Sequence, residues 1–207
     1  MGPLPGRIER LYYNALLMRS SFLYLLFYKP FGVLSHFTDT EGRLTLKSFI
    51  PVKGVYSAGR LDYDSEGLLL LTNHGALIQR LTDPDFHLPK TYWVQVEGQI
   101  TEAALQSLRQ GIVIQGEQTR RCQARLIPEP DLLPRSKPIT PHQPPSWIEL
   151  ILQEGRKRQI RHMTAAVGFP TLRLIRSAIG PLGIEGLQPG VWRYLTVDEL
   201  NWINHFA

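Results

Sequence analysis

A run of four leucines at residues 68–71, closed by Gly67 before it and by Asn73-His74-Gly75 after it, constrains this chain more than any other stretch. An apolar run that short, bounded by turn residues, reads as a buried strand. The residues just before it carry charge: Arg60, Asp62, Asp64 and Glu66 all lie within the string GRLDYDSEGLLLLTNHG. Those charges sit at the mouth of the core. A carboxylate there loses part of its hydration, and it either takes up a proton or acquires a cationic partner. Arg60 is near in sequence and is never neutralised. The competing reading is a surface turn whose charges are solvated.

With 207 residues and 43% hydrophobic content, the chain has enough apolar material for a substantial core without metals or disulfides. Cys122 is the one cysteine, which excludes an intramolecular disulfide and fits a reducing, cytoplasmic compartment. The net charge of +5 is concentrated in one place: residues 155–184 hold Arg156, Lys157, Arg158, Arg161, Arg173 and Arg176 and no acid. The remaining 17 cations are matched by the 18 acidic residues. A segment like that is an anion-binding footprint of the kind a nucleic-acid backbone requires, or else a solvated basic face. The six histidines, at 36, 74, 87, 142, 162 and 205, lack ligand-like spacing. No glycine fingerprint for a dinucleotide and no phosphate loop is present.

The first 21 residues read as a frayed or loosely helical extension. Arg19 interrupts their apolar patch before it reaches the roughly 20 residues that a bilayer span needs, and no small-residue cleavage site follows. Residues 22–28 form an aromatic-rich strand that Lys29-Pro30-Phe31-Gly32 turns into a tight loop. A helical turn over 45–50, a short strand over 55–58 and a helix over 76–81 capped by Asn73 follow. Residues 91–97 alternate as a strand, and Thr101 caps a helix that Gly111 stops. Strands are expected over 112–114, 123–127, 147–153, 171–175 and 191–197, with a short terminal helix over 198–204. Seven prolines in residues 128–145 make that segment a loop, and its Arg135 and Lys137 are balanced by Glu129 and Asp131. Arg158, Arg161 and His162 share one face of an expected helix, with Ile160, Met163 and Val167 turned elsewhere. Helices between strands point to a mixed α+β layer.

Three strings together resemble the pseudouridine synthases of the RsuA family, which isomerise uridine in ribosomal RNA. They are GRLDxxSEGLLLLTN, YKPxG at Tyr28 to Gly32, and EGRxRQIRxM at Glu154 to Met163. The resemblance covers residues 23–193, and it is to compact members that lack an added S4-type RNA-binding module. It implies an α+β catalytic domain over residues 22–207, with a largely antiparallel mixed sheet, flanking helices and a central RNA-binding cleft. It assigns catalysis to Asp62, as nucleophile or as base toward the ribose, to Tyr92 against the target base, and to Arg161 as the cation paired with Asp62. Ile160 would border the uracil, Arg60 would fill the space left by the extracted nucleotide, and Lys29 would lie near it. Arg156 and Arg158 are the candidates for phosphates. His162 departs from the arginine found in many relatives. The implied partner is ribosomal RNA, 23S rather than 16S, with no membrane, no obligate protein partner and a monomeric state.

That chemistry needs no cofactor and no metal. Two other readings stay open at this stage. Asp62, Asp64 and Glu66, at alternate positions of an extended segment, form an oxygen set suited to Mg²⁺ in a nuclease or phosphatase. A non-catalytic ribosome-assembly factor would use the basic surface alone.

Overall fold

In the computed structural model, which describes residues 22–206, the leucine run lies within strand β3 (Glu66–Thr72), and Leu68, Leu69, Leu70 and Leu71 are each 0% exposed. Burying a leucine completely contributes about 1.5–3 kcal/mol, so this strand is a principal source of stability. It begins two residues before the apolar run because Glu66 and Gly67 also pair with a neighbouring strand. The expected N-terminal extension, residues 1–21, lies outside the described residues.

Around β3 stand β1 (Tyr24–Lys29), β2 (Tyr56–Ser57), β4 (Lys90–Val96), β7 (Gln123–Ile127), β8 (Ser146–Leu152), β9 (Thr171–Ile179), β10 (Leu182–Gly183) and β11 (Trp192–Tyr194). The sheet runs β11-β1-β3-β9-β4-β8-β7, with β2 on β3 and β10 on β9, while β5 (Val113–Ile114) and β6 (Glu117–Gln118) form a separate hairpin. The pair β3–β9 is parallel and the others are antiparallel, which is the mixed, largely antiparallel sheet expected. Among the described residues four α-helices accompany it: α1 (Gly75–Thr82), α2 (Glu102–Gln110), α3 (Gln159–Ala166) and α4 (Val197–Phe206).

The period of two along each strand decides which core a side chain enters. On one face Leu68, Leu70, Tyr24, Leu26 and Ile175 join Leu77 and Leu81 of α1 and Leu200 and Ile203 of α4. The opposite face is divided. Leu25, Phe27, Leu69 and Leu71 form one cluster, and Val94, Val96, Ile148, Leu150 and Leu174 form another with Leu105 and Leu108 of α2 and Ile160 and Met163 of α3.

Several local expectations are corrected. His74, not Asn73, occupies the N-cap of α1, and the Asn73 side chain instead accepts a hydrogen bond from Leu23 N at 2.7 Å. Arg158 lies just outside α3, as its left-handed N-cap at φ 54°, and does not share a helical face with Arg161 and His162. Arg173 and Arg176 are 7% and 3% exposed and add nothing to an outer basic surface. Arg135 makes no ion pair with Glu129 or Asp131: it stacks over Phe31 at 4.4 Å and donates to the Lys137 and Leu172 carbonyls. The capped helix α2 is as expected, with Thr101 Oγ1 accepting from Ala104 N at 3.2 Å and Gly111 at φ 85°.

Gly67 is where β3 and β9 come closest. A Cβ on it would lie 2.3 Å from the Arg176 carbonyl oxygen and 2.5 Å from its nitrogen, and its φ of 109° already excludes most side chains. Gly67→Ala should therefore destabilise the protein by several kcal/mol, on the order of 3, read as a lowered urea midpoint in equilibrium unfolding.

Candidate active site

The Asp62 loop joins β2 to β3 and is fastened on both sides. Ser35 Oγ donates to the Leu61 carbonyl at 2.7 Å and accepts from Leu61 N at 3.0 Å. Gly32 N donates to the Tyr63 carbonyl at 2.9 Å, which ties this loop to the one after β1. Leu61 is buried in the core while Asp62 beside it keeps 36% of its side chain exposed. The anchored leucine thus holds its neighbour at the surface of a cleft.

That cleft has a volume of 480 Å³. Arg60, Asp62, Tyr92, Arg156, Arg158 and Ile160 all line it, so six of the eight expected site residues converge on one space. Arg60 is exposed at the mouth, Tyr92 is half-buried on β4, and Ile160 at 5% exposure is part of the wall.

The arginines behave differently from the expectation. Arg158 donates two hydrogen bonds of 3.0 Å to the Asp64 carboxylate, and its approach to Asp62 is 3.9 Å. Arg161 does not pair with Asp62. Its Nη2 donates to the Asp64 carbonyl at 2.8 Å, lies 3.4 Å from Asp64 Oδ2 and reaches Ser65 Oγ at 3.4 Å. Burial pushes the Asp64 carboxyl upward, but the Arg158 hydrogen bonds and the charges of Arg161 and Arg158 outweigh it and leave it below its ordinary range. Asp64 is thus the anchor of the local charge, and it screens Asp62 from a direct ion pair with Arg161. Arg156 is held by Glu117 at 3.1 Å and Glu154 at 3.4 Å, and donates to the Gln118 carbonyl.

Lys29, expected near the extracted nucleotide, is not among the residues that line the cleft. It is 0% exposed, and its Nζ donates to the Val33 carbonyl at 2.8 Å and the Pro30 carbonyl at 3.0 Å, which shapes the loop that holds Tyr63. Burial lowers its pKa to about 7 against the pull of Glu66, Asp64 and Asp62. Glu66 is also withdrawn from the site: it is 1% exposed and makes a bidentate pair with Arg173 at 2.8 Å. Of the three carboxylates proposed as a Mg²⁺ set, Asp64 is held by Arg158 and Arg161 and Glu66 by Arg173, and among the described residues no group of three or more metal-ligating side chains converges.

Sequence reasoning missed Arg176 and Lys90, both of which line the cleft. The signal was available for Arg176. Arg173 and Arg176 are three apart on a strand, so they must leave opposite faces, one toward Glu66 and the other toward the cleft.

The cleft on the divided sheet face thus presents one partly exposed carboxylate beside a tyrosine and several arginines, and the comparisons with known proteins say which class of enzyme carries it. The family described as RNA pseudouridylate synthase matches residues 23–166, and the chain belongs to it. It is 50% identical over 177 residues to the ribosomal large subunit pseudouridine synthase E of Vibrio vulnificus, covering 84% of this chain and 76% of that one. It is 51% identical over 170 residues to the protein of that name from Xanthomonas campestris, covering 80% and 91%. A crystal structure of a pseudouridylate synthase superposes with a TM-score of 0.72 at 29% identity, covering 90% of this chain and 74% of the other.

Two outcomes follow from this geometry. The Lys29 ammonium has a pKa of about 7 when folded and 10.5 as its ordinary value, so the unfolded chain binds more protons between those limits and stability should rise with pH across them. Lys90 is shifted in the same direction. Lys29→Met should therefore flatten part of the increase in unfolding free energy between pH 7 and pH 9, measured by urea titration. Arg161 meets a carbonyl, a hydroxyl and a carboxylate through Nη2, and the rigid plane of its guanidinium fixes the direction of that approach where the flexible stem of a lysine does not. Arg161→Ala and Arg161→Lys should both lower turnover at every pH, with no alkaline shift of the pH–rate profile.

Proposed function

We propose that this chain isomerises a uridine of large-subunit ribosomal RNA to pseudouridine, with Asp62 as the reacting carboxylate. The observation that carries the reading is the convergence of Asp62, Tyr92 and Ile160 on one cleft at the end of an otherwise buried strand, ringed by Arg60, Arg156 and Arg158. The similarity to ribosomal large subunit pseudouridine synthases E at about 50% identity supports the choice of substrate.

In this reading the uridine is extracted from its helix, at a cost of a few kcal/mol, and Arg60 at the mouth fills the space it leaves. Asp62 acts on the ribose, either as a nucleophile or as a base, while the bond from the sugar to ring nitrogen breaks. Tyr92 stacks on the freed uracil, a contact worth about 1–3 kcal/mol per base, and Ile160 borders it. The ring turns and rejoins the sugar through carbon, and the proton displaced from that carbon leaves as aromaticity returns, with the Tyr92 hydroxyl placed to assist. Nitrogen gains a proton, so the product is an isomer and no redox agent enters. Arg161 acts on Asp62 through the Asp64–Ser65 backbone. We propose that the chain works as a monomer without an obligate protein partner. No helix among the described residues is long and apolar enough to cross a membrane. We place the activity in the cytoplasm, where ribosomal RNA is available.

The test is incubation with transcribed ribosomal RNA in EDTA followed by mapping of pseudouridine. Wild type should modify one uridine. Asp62→Asn should abolish modification with RNA affinity kept within about tenfold, roughly 1.4 kcal/mol, because most affinity comes from phosphates. Wild-type turnover by Asp62→Asn would remove Asp62 from the mechanism.

A further inference from the structure

Among the cations of the cleft, Arg176 has no anion. On the other face of β9, Arg173 is neutralised by Glu66, but Arg176 is 3% exposed and lines the cleft with no carboxylate oxygen of the described residues within 4.0 Å. Its Nε donates to the Leu68 carbonyl at 2.8 Å, and its buried Nη2 has no hydrogen-bond partner. Buried guanidinium donors left unmatched are costly, and they are kept where a ligand completes them.

A second cation stands beside it. Lys90 lies two residues before Tyr92 on β4 and lines the same cleft, and its Nζ makes one long contact, 3.5 Å to the Leu88 carbonyl. Burial first, and then the charge of Arg176, lowers its pKa. The acids nearest to them in the cleft wall do not answer them: Glu154 is engaged by Arg120 N, Gln159 and Arg156, and neither Asp62 nor Asp83 comes within 4.0 Å of either cation. A neutral carbonyl would satisfy one donor, but an anion also relieves the repulsion between the two charges.

The register supplies the identity of the anion. Tyr92 and Arg176 are direct partners across the β4–β9 ladder, so their side chains are neighbours on one face, and a bulge at Ser177 interrupts the pairing beside them. A nucleotide whose base lies on Tyr92 therefore has its phosphate within a sugar's length of Arg176. We propose that Arg176 and Lys90 form a phosphate subsite inside the cleft, which holds a phosphodiester adjoining the target uridine. The subsite rests on the reading of the cleft as a uridine site, and it is separate from Arg156 and Arg158, whose charges are already matched by Glu117, Glu154 and Asp64.

The test uses the free protein and three probes: uridine, uridine 3′-monophosphate and uridine 5′-monophosphate, titrated by NMR. For wild type, at least one monophosphate should bind about tenfold or more tighter than uridine. In Arg176→Met the ratio should fall to about one with uridine affinity unchanged, and Lys90→Met should reduce it in part. If Arg176→Met does not fold, Lys90→Met carries the test through the same ratio. An unchanged ratio in the folded variants, or equal weakening of uridine and its monophosphates, would overturn the subsite even if wild type still makes pseudouridine. Failure of wild type to form pseudouridine would instead overturn the reading on which it rests.

Discussion

Two residue pairs, Glu66 with Ile175 and Gly67 with Arg176, join the halves of the sheet. On one side of this parallel seam lie β11, β1 and β3, and on the other β9, β4, β8 and β7. A parallel contact this short leaves the strands free to diverge beyond it. There the Leu68 carbonyl is satisfied by the Arg176 guanidinium rather than by a ladder bond. The divergence also explains why the core on that face is split into two clusters with a cleft between them, while the opposite face is one continuous core. Gly67 is required because only a residue without a Cβ admits the Arg176 backbone so closely.

Charge in and under the cleft is organised by separation. Each acid near Asp62 has its own cation: Asp64 has Arg158 and Arg161, Glu66 has Arg173, and Glu154 has Arg156. Asp62 keeps only the 3.9 Å approach of Arg158, so its carboxylate stays open to the cleft. The partly exposed Asp64 pairs are of modest worth to stability because solvent screens them. Their larger effect is positional, since Arg161 reaches across from α3 to the backbone of the loop that carries Asp62. Helix α3 and the Asp62 loop are thereby fixed to each other although they are nearly a hundred residues apart.

Much of this architecture was legible from local pattern. The strand at residues 123–127 and the capped helix before it match their expected places because alternation, a capping threonine and a stopping glycine are local signals. The readings that failed concern long-range partners. Lys29 was expected beside the extracted nucleotide, yet it is buried under a loop whose carbonyls it binds. Asn73 has the chemistry of a cap, but the incoming backbone of Leu23 competes for its oxygen. Arg173 and Arg176 entered a count of basic surface because a charge sum contains no information about burial.

The sequence by itself determined that residues 68–71 form a buried strand, that a carboxylate-rich turn delivers Asp62 to its edge, and, through three motif strings, that the chain belongs with the enzymes that make pseudouridine. Those properties rest on hydrophobic period, turn chemistry and residue type, all readable within a dozen neighbouring positions. Which arginine meets which acid was decided only by the tertiary structure. Asp64 and Arg158 are 94 residues apart and Glu66 and Arg173 are 107 apart, and their pairing depends on the seam that brings β9 beside β3. An ion pair is set by distance in space, and residue type says only that one is possible.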